Sequence, residues 1–171
     1  ITAGGLLRKR LGAQTAVSQL CGAETADIQI QDGDIFEFAD GEHIKVIATP
    51  GHTPGSLSFL WRDRLFTGDS LLIGGCGRTD FQGGNAGSQY DGITQRLFTL
   101  PDETLVYPGH DYHEHWVSSI IQERTTNPRL VGKARDEFIE IMNNLNLPKP
   151  RLIDEAVPAN RYCGLDEKER Q

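Results

Sequence analysis

The motifs that decide the fold are T-P-G-H-T-P-G at residues 49–55, F-T-G-D-S at 66–70 and G-G-C-G-R-T-D-F at 74–81. They contain two side chains that can bind a metal: His52 lies in a Gly/Pro turn, and Asp69 follows a short apolar strand. Imidazole and carboxylate are both ligands of first-row metals, and loops that leave strand ends commonly present functional groups. Either residue alone is ordinary turn chemistry. The two together favour a metal site.

The pattern of apolar residues predicts short strands first and helices afterwards. Strands are predicted at 14–18, 28–30, 35–38, 43–49, 56–61, 65–67 and 104–107. Helices are predicted at 5–11, at 90–100, from Val117 to a point before Pro128, and at 134–145. A third strand exit, P-G-H-D-Y at 108–112, carries His110. Pro148, Pro150 and Pro158 predict irregular structure towards the end, and residues 166–171 are expected to fray. These elements favour a layered α+β domain.

The length and net charge of the chain limit the number of domains and the kinds of partner that it can have. The 171 residues are enough for one domain, predicted over 1–171. A formal charge of −7 argues against nucleic acid or an anionic membrane as the partner. No apolar run approaches the roughly 18 residues of a membrane span, and no secretory signal is visible.

The number and spacing of the three cysteines do not predict a disulfide framework. Cys21, Cys76 and Cys163 are an odd number and include no C-x-x-C pair, which argues against a thiolate zinc site and fits a reducing compartment. Cys21 is predicted to be a small buried thiol. Cys76 and Cys163 lie beside glycines in motif-rich segments and are more interesting functionally.

The motifs at 49–81 resemble the second half of the metal site of the metallo-β-lactamase superfamily. The segment N-L-N-L-P-K-P-R-L-I-D-E-A-V-P-A-N-R-Y-C-G at 144–164, with N-P-R at 127–129, resembles the persulfide dioxygenases and not glyoxalase II. The resemblance implies an αββα sandwich. The superfamily motif H-x-H-x-D-H is absent, and residues 1–7 resemble the stretch that follows it. The chain is therefore expected to be N-terminally incomplete, the C-terminal two-thirds of the family domain.

The resemblance also implies a set of metal ligands. His52 and Asp69 would bind one Fe(II) per chain, with a third ligand from a histidine of the missing N-terminal motif. Such a site of two histidines and one carboxylate leaves three positions open for persulfide and O₂. His110 would lie near the metal without binding it, or would serve a second metal as in glyoxalase II.

The substrate that the resemblance implies is glutathione persulfide, with sulfite and glutathione as products. The residues that match the substrate pocket or its rim are Tyr112, Arg129, Asn160 and Cys163. Arg129 suits a carboxylate of the tripeptide, because guanidinium binds carboxylate in a bidentate way. The alternatives are a loop arginine packed beside Pro128, a half-buried core Tyr112 and an inert Cys163 thiol.

Residues around the metal loops are expected to brace them. Arg78, Thr79 and Asp80 follow the glycine-rich turn, and a buried Arg78–Asp80 pair is the expected support, with Asp111 beside His110.

Two other functions remain open. One is a thioester hydrolase with two metals, using His110; the other is a non-catalytic fragment without the first metal motif. The expected location is a bacterial cytoplasm, or a mitochondrion if the source is eukaryotic. Association into a homodimer through an incomplete first sheet is a further hypothesis.

Overall fold

The computed structural model describes residues 1–165, which group into two compact units. Unit 1 comprises residues 1–30 and the segment from 147 onward, and unit 2 comprises residues 31–146. A single domain over 1–171 therefore stays a prediction. The expected fraying of 166–171 concerns residues outside those described.

The described part of unit 1 contains two helices and two short strands. Its elements are α1 (Gly4–Leu11), β1 (Ala16–Ser18), β2 (Ile28–Ile30) and α5 (Ile153–Arg161). The two strands pair in parallel. Gly5 donates its N–H to the Cys163 carbonyl at 2.7 Å, and a Cβ at Gly5 would lie only 2.4 Å from Leu165 Cγ. Only glycine fits this approach.

Two predictions for unit 1 are wrong. Helix α5 forms where irregular structure was expected, because Pro148 and Pro150 precede the helix and only Pro158 lies inside it. Acidic residues in its first turn and Arg161 in its last favour the helix through the macrodipole. Cys21, predicted to be buried, is exposed in the turn after β1.

Unit 2 contains one six-stranded mixed sheet and three α-helices. Its strands are β3 (Ile35–Phe38), β4 (Glu42–Ala48), β5 (Leu57–Trp61), β6 (Arg64–Gly68), β7 (Leu105–Pro108) and β8 (Ser118–Ser119). Its helices are α2 (Ala86–Gly92), α3 (Ile120–Thr126) and α4 (Arg135–Asn143), with a π-helical segment at Ile93–Leu97. The predicted α+β class is confirmed, although α2 begins before residue 90 and β8 was not predicted.

The strand order β3-β4-β5-β6-β7-β8 follows the chain, and one pair departs from the antiparallel pattern. Strands β6 and β7 are parallel, which requires a crossover, and α2 with the π-helical segment supplies it. Strand β4 is antiparallel to β5, and β5 to β6, so β4 runs in the same direction as β6 and β7. The C-terminal ends of these three strands therefore meet at one edge.

The core of unit 2 lies between one face of the sheet and the helices. Leu65 and Val106 on the sheet and Ile93, Leu97 and Phe138 on the helical side are fully buried members of one cluster. No helix among residues 1–165 is long and apolar enough to cross a bilayer.

Candidate metal centre

The three strand exits predicted from the sequence meet at one edge of the sheet in unit 2. The turn after β4 carries His52, the loop after β6 carries Asp69, and the loop after β7 carries His110. Asp69 lies between the two histidines: its Oδ2 is 3.6 Å from His52 Nε2, and its Oδ1 is 2.6 Å from His110 Nδ1.

His52 is held in one tautomer. Its Nδ1 lies 2.6 Å from the Arg78 carbonyl oxygen, which can only accept, so Nδ1 carries the proton. In the neutral imidazole the lone pair is then on Nε2, which faces Asp69. A histidine that ligates a metal commonly donates its other N–H to a carbonyl in this way.

His52 and Asp69 fit a metal as two of its ligands. Metal–ligand distances of about 2.0–2.2 Å allow two donors 3.6 Å apart to contact the same ion. Among residues 1–165, no group of three or more His, Cys, Asp or Glu side chains is placed to hold a metal ion. The described chain therefore offers part of a ligand set.

His110 contacts Asp69 through Nδ1, and its side chain is exposed to solvent. Its side chain is 60% exposed, and its ring stacks parallel to Tyr112 with centroids 6.2 Å apart. Tyr112 is 76% exposed, so the alternative of a half-buried core tyrosine is wrong. Whether His110 lies beside a metal or binds one stays a prediction.

Two glycines allow the loops to approach each other. Gly77 donates its N–H to the Asp69 carbonyl at 2.8 Å, and a Cβ there would lie 2.3 Å from that oxygen and 3.0 Å from His52 Cγ. A Cβ at Gly109 would lie 2.9 Å from Asp69 Oδ1. Both positions need glycine for space, which turn patterns alone do not reveal.

Arg78 and Asp80 form the expected pair. Two hydrogen bonds of 2.6 Å join the guanidinium to the carboxylate, and the guanidinium lies 4.4 Å from the Phe81 ring centroid. The bond from Arg78 lowers the pKa of Asp80. The Arg78 side chain is mostly buried but Asp80 is 49% exposed, so the pair is open on one side. Thr79 between them is buried.

Asp111 organises the loop that follows His110. Its Oδ2 accepts the backbone N–H of His113 at 2.9 Å and of His115 at 2.6 Å. Burial raises the pKa of Asp111, but these hydrogen bonds outweigh it and leave the pKa below its usual value.

Arg129 is half-buried, and no carboxylate pairs with it within residues 1–165. Its Nη1 contacts the Cys76 carbonyl oxygen at 3.3 Å and Met142 Sδ at 3.5 Å. Burial raises the pKa of the Cys76 thiol to about 11, despite the nearby guanidinium. That Arg129 binds a carboxylate of a ligand stays a prediction.

Two buried polar residues behind the glycine-rich turn were not predicted from the sequence. Glu123 is 1% exposed and Asn127 is fully buried. Glu123 Oε2 accepts from Gly74 N and from Asn127 Nδ2, each at 2.9 Å, and Oε1 lies 2.6 Å from Ser118 Oγ. A usable signal existed, because both residues follow Ile120 at the spacing of one helix face.

Asn160 and Cys163 belong to unit 1. Asn160 Oδ1 accepts the N–H of Thr2 at 2.8 Å, and Cys163 is 3% exposed with a left-handed backbone at φ 53°. Their described contacts are internal to that unit. Their predicted place near the tripeptide stays a prediction.

Comparison with known proteins identifies the relatives of this chain. The sequence profile of the metallo-beta-lactamase superfamily matches residues 23–110. Persulfide dioxygenase ETHE1, mitochondrial, from Homo sapiens is 52% identical over 96% of the chain, and the chain spans 65% of that protein. Hydroxyacylglutathione hydrolase GloC from Haemophilus influenzae is 36% identical over 61% of the chain.

A solved structure resembles the chain even more. The crystal structure of ETHE1 from Myxococcus xanthus matches with a TM-score of 0.94 and 57% identity, over 96% of this chain and 72% of that one. The predicted family resemblance and fold class are confirmed.

Proposed function

Because the chain belongs to the metallo-β-lactamase superfamily and, within it, to the ETHE1 family, we propose that the protein is a persulfide dioxygenase. It oxidises glutathione persulfide with O₂ to sulfite and glutathione at one iron(II) ion. The observation that carries the proposal is the 57% identity to Myxococcus xanthus ETHE1 across nearly the whole chain.

The reaction balances with one O₂ and one water per persulfide. The terminal sulfur loses four electrons and O₂ takes up four, while water supplies the third oxygen of sulfite. The S–S bond breaks, and glutathione leaves as the thiol. Bound iron(II) supplies the redox chemistry that lets O₂ react with a closed-shell sulfur.

His52 Nε2 and Asp69 Oδ2 are the proposed ligands in this chain. The Arg78 carbonyl keeps the His52 lone pair on Nε2, and His110 fixes the other oxygen of Asp69. Both contacts prepare the two donors before the metal arrives, which is how neighbouring groups raise metal affinity.

Arg129 is the proposed anchor for a carboxylate of glutathione. Its charge has no carboxylate partner among residues 1–165, and its contact with Cys76 places it on the turn that leads to Gly77. Tyr112 presents an exposed hydroxyl beside His110, and Asn160 and Cys163 remain proposed pocket residues.

One observation favours a second candidate, a thioester hydrolase with two metals. His110 lies beside Asp69, with Nδ1 2.6 Å from Asp69 Oδ1, so these two side chains could together hold a second ion. Turnover of S-lactoylglutathione with two metals per chain would support this function.

The deciding experiment measures metal content and oxygen uptake on anaerobically purified protein. About one iron per chain, with O₂ consumption and sulfite release on glutathione persulfide, supports the dioxygenase. His52→Ala should abolish iron binding, whereas His43→Ala, at an exposed position on β4, should not. Two zinc ions without oxygen uptake would favour the hydrolase, and no metal would mean that this chain alone is an incomplete site.

The proposed setting is the cytoplasm of a bacterium or, for a eukaryotic source, the mitochondrion named for the human relative. A homodimer is a separate hypothesis. Light scattering during size-exclusion chromatography tests it, and a mass near 18.9 kDa would reject it.

A further inference from the structure

We propose that Glu123 is a positioning residue for this site. It holds the turn at 74–77, and through that turn it sets the tautomer of His52 and the place of Arg129. The inference rests on the proposed function for the identity of the metal and the anion, but its geometric part can be tested without either.

The turn at 74–77 has little intrinsic preference for one backbone shape. Its sequence, G-G-C-G, has three glycines in four residues, and glycine has the widest choice of backbone angles. Gly74 has a φ of 66°, in the left-handed region. Backbone bonds between Leu72 and Gly75, and a bond from Gln89 Nε2 to the Gly77 carbonyl, fix part of it. Side-chain contacts at Gly74 and Gly75 add to these bonds.

Glu123 and Asn127 supply those contacts. Glu123 Oε2 accepts the Gly74 N–H at 2.9 Å, and Asn127 Nδ2 donates to the Gly75 carbonyl at 3.0 Å while also donating to Glu123. Glu123 is buried and receives neutral donors, with no cation paired to it among residues 1–165. A buried carboxylate with such partners is costly, so a purely packing role would be better filled by an apolar side chain.

The clamped turn leads directly to the metal ligands. Gly77 N donates to the Asp69 carbonyl, and the next carbonyl, that of Arg78, accepts the Nδ1–H of His52. A shift of the turn would displace that carbonyl. The proton of His52 would then no longer be held on Nδ1, and both tautomers would be populated.

The same network reaches the proposed anion anchor. Asn127 Oδ1 accepts the backbone N–H of Arg129 at 3.1 Å, and Arg129 Nη1 contacts the Cys76 carbonyl inside the turn. Glu123 thus holds a turn that supports both the metal ligand and the anchor.

The test uses the full 171-residue chain without metal, labelled with ¹⁵N-histidine. In the wild-type chain, NMR should show His52 as a single tautomer with a protonated, slowly exchanging Nδ1–H. Glu123→Met, similar in length but unable to accept, should give a mixture of tautomers and fast exchange. Glu123→Gln should restore the wild-type signal, because its amide oxygen can still accept from Gly74 and Asn127.

Ser118→Ala is the matched control. It removes a hydrogen bond to Glu123 that does not involve the turn, so it should lower Tm but leave the His52 signal unchanged. If Glu123→Met does not fold, Asn127→Leu takes its place, since it removes the bond to Gly75.

Iron affinity gives the second readout. It should fall about tenfold or more in Glu123→Met and stay within about twofold in Ser118→Ala. A wild-type His52 signal in Glu123→Met, or the same tautomer mixture in Ser118→Ala, would overturn the proposal. A wild-type chain that takes up no iron would mean that this chain alone is an incomplete site, yet the tautomer result would stand on its own.

Discussion

His52 has one ring nitrogen committed to a main-chain carbonyl and the other facing Asp69. The Arg78 carbonyl therefore sets the tautomer of His52, while the Arg78 side chain contacts Asp80 and Phe81. Loss of the Arg78 side chain would loosen the segment that carries the carbonyl. The residue acts through its backbone, and its side chain keeps that backbone in place.

Arg78→Ala and Asp80→Ala should reduce iron occupancy and stability more than they reduce substrate affinity. The reason is that the pair fixes the segment holding His52 and does not itself bind the substrate. Arg64→Ala, which breaks an exposed ion pair with Asp63, is the matched control and should leave iron content unchanged. Elemental analysis and KM measurements test this, and full iron content in both site variants would contradict it.

The Asp80 carboxylate should make stability depend on pH in acid. Its pKa is lowered in the folded state by the bond from Arg78, so its stabilising contribution is fully present above about pH 4 and is lost as the pH falls through the lower folded pKa. Asp80→Asn should remove this part of the dependence. Urea unfolding from pH 6 down to acid would show parallel curves for the two proteins if the prediction is wrong.

The thiols should differ in reactivity. Burial and a pKa of about 11 keep Cys76 protonated and shielded at neutral pH, Cys163 is also buried, and Cys21 is exposed. Iodoacetamide should label one cysteine per native chain, at Cys21, and three after denaturation. Mass spectrometry of the peptides would reveal any rapid labelling of Cys76, which would contradict this burial.

At the scale of elements, the strands that lead into the candidate site were predicted better from the sequence than helix α5 and the burial of Glu123. Strand β4 is a β-branched run, β6 and β7 are short apolar runs, and each leads into a motif with Gly or Pro. The exits bearing His52, Asp69 and His110 were therefore predictable. Helix α5 was not, because its prolines suggested a break although two of them only precede it. Glu123 was hidden because a charged residue in a helix normally faces water.

Asn85, the N-cap of helix α2, also donates a hydrogen bond to the turn that carries His52. Asn85 Oδ1 accepts the Ser88 N–H at 2.8 Å, while the Asn85 N–H donates to the Gly51 carbonyl beside His52. Asn85→Ala should lower the free energy of unfolding by about 1 kcal/mol, and Asn85→Asp should retain most of it. Chemical denaturation measures both, and equal losses would show that the cap is not the stabilising feature.

At the largest scale, the sheet of unit 2 places the site by its topology. Parallel pairing of β6 with β7 places Asp69 and His110 at the same edge, although 41 positions separate them in the chain. Strand patterns predict the exits but not which strands are neighbours, so the direct contact between these two residues could not be predicted. The resemblance to a known family supplied that information.

Amide exchange should follow the same topology. Strand β6 lies inside the sheet with Leu65 fully buried, so its amides should exchange only on global unfolding. The exposed loop at 112–117 should exchange much faster, even though Asp111 accepts two of its N–H groups. Mass spectrometry of deuterated peptides tests the order, and equal protection of the loop and β6 would contradict it.

Glu123 lies far along the chain from His52 and Asp69, and this separation has a consequence for synthesis on the ribosome. His52 and Asp69 leave the exit tunnel early, but the clamp on their turn waits for Glu123, 54 positions later. At about 5–20 residues per second that interval is roughly 3–11 s. During it, the nascent chain holds both donors and the Arg78 carbonyl, but it lacks the Glu123 contact to the turn. If Glu123 positions the site as proposed, we expect the chain to bind a metal only after the helix containing Glu123 has been translated.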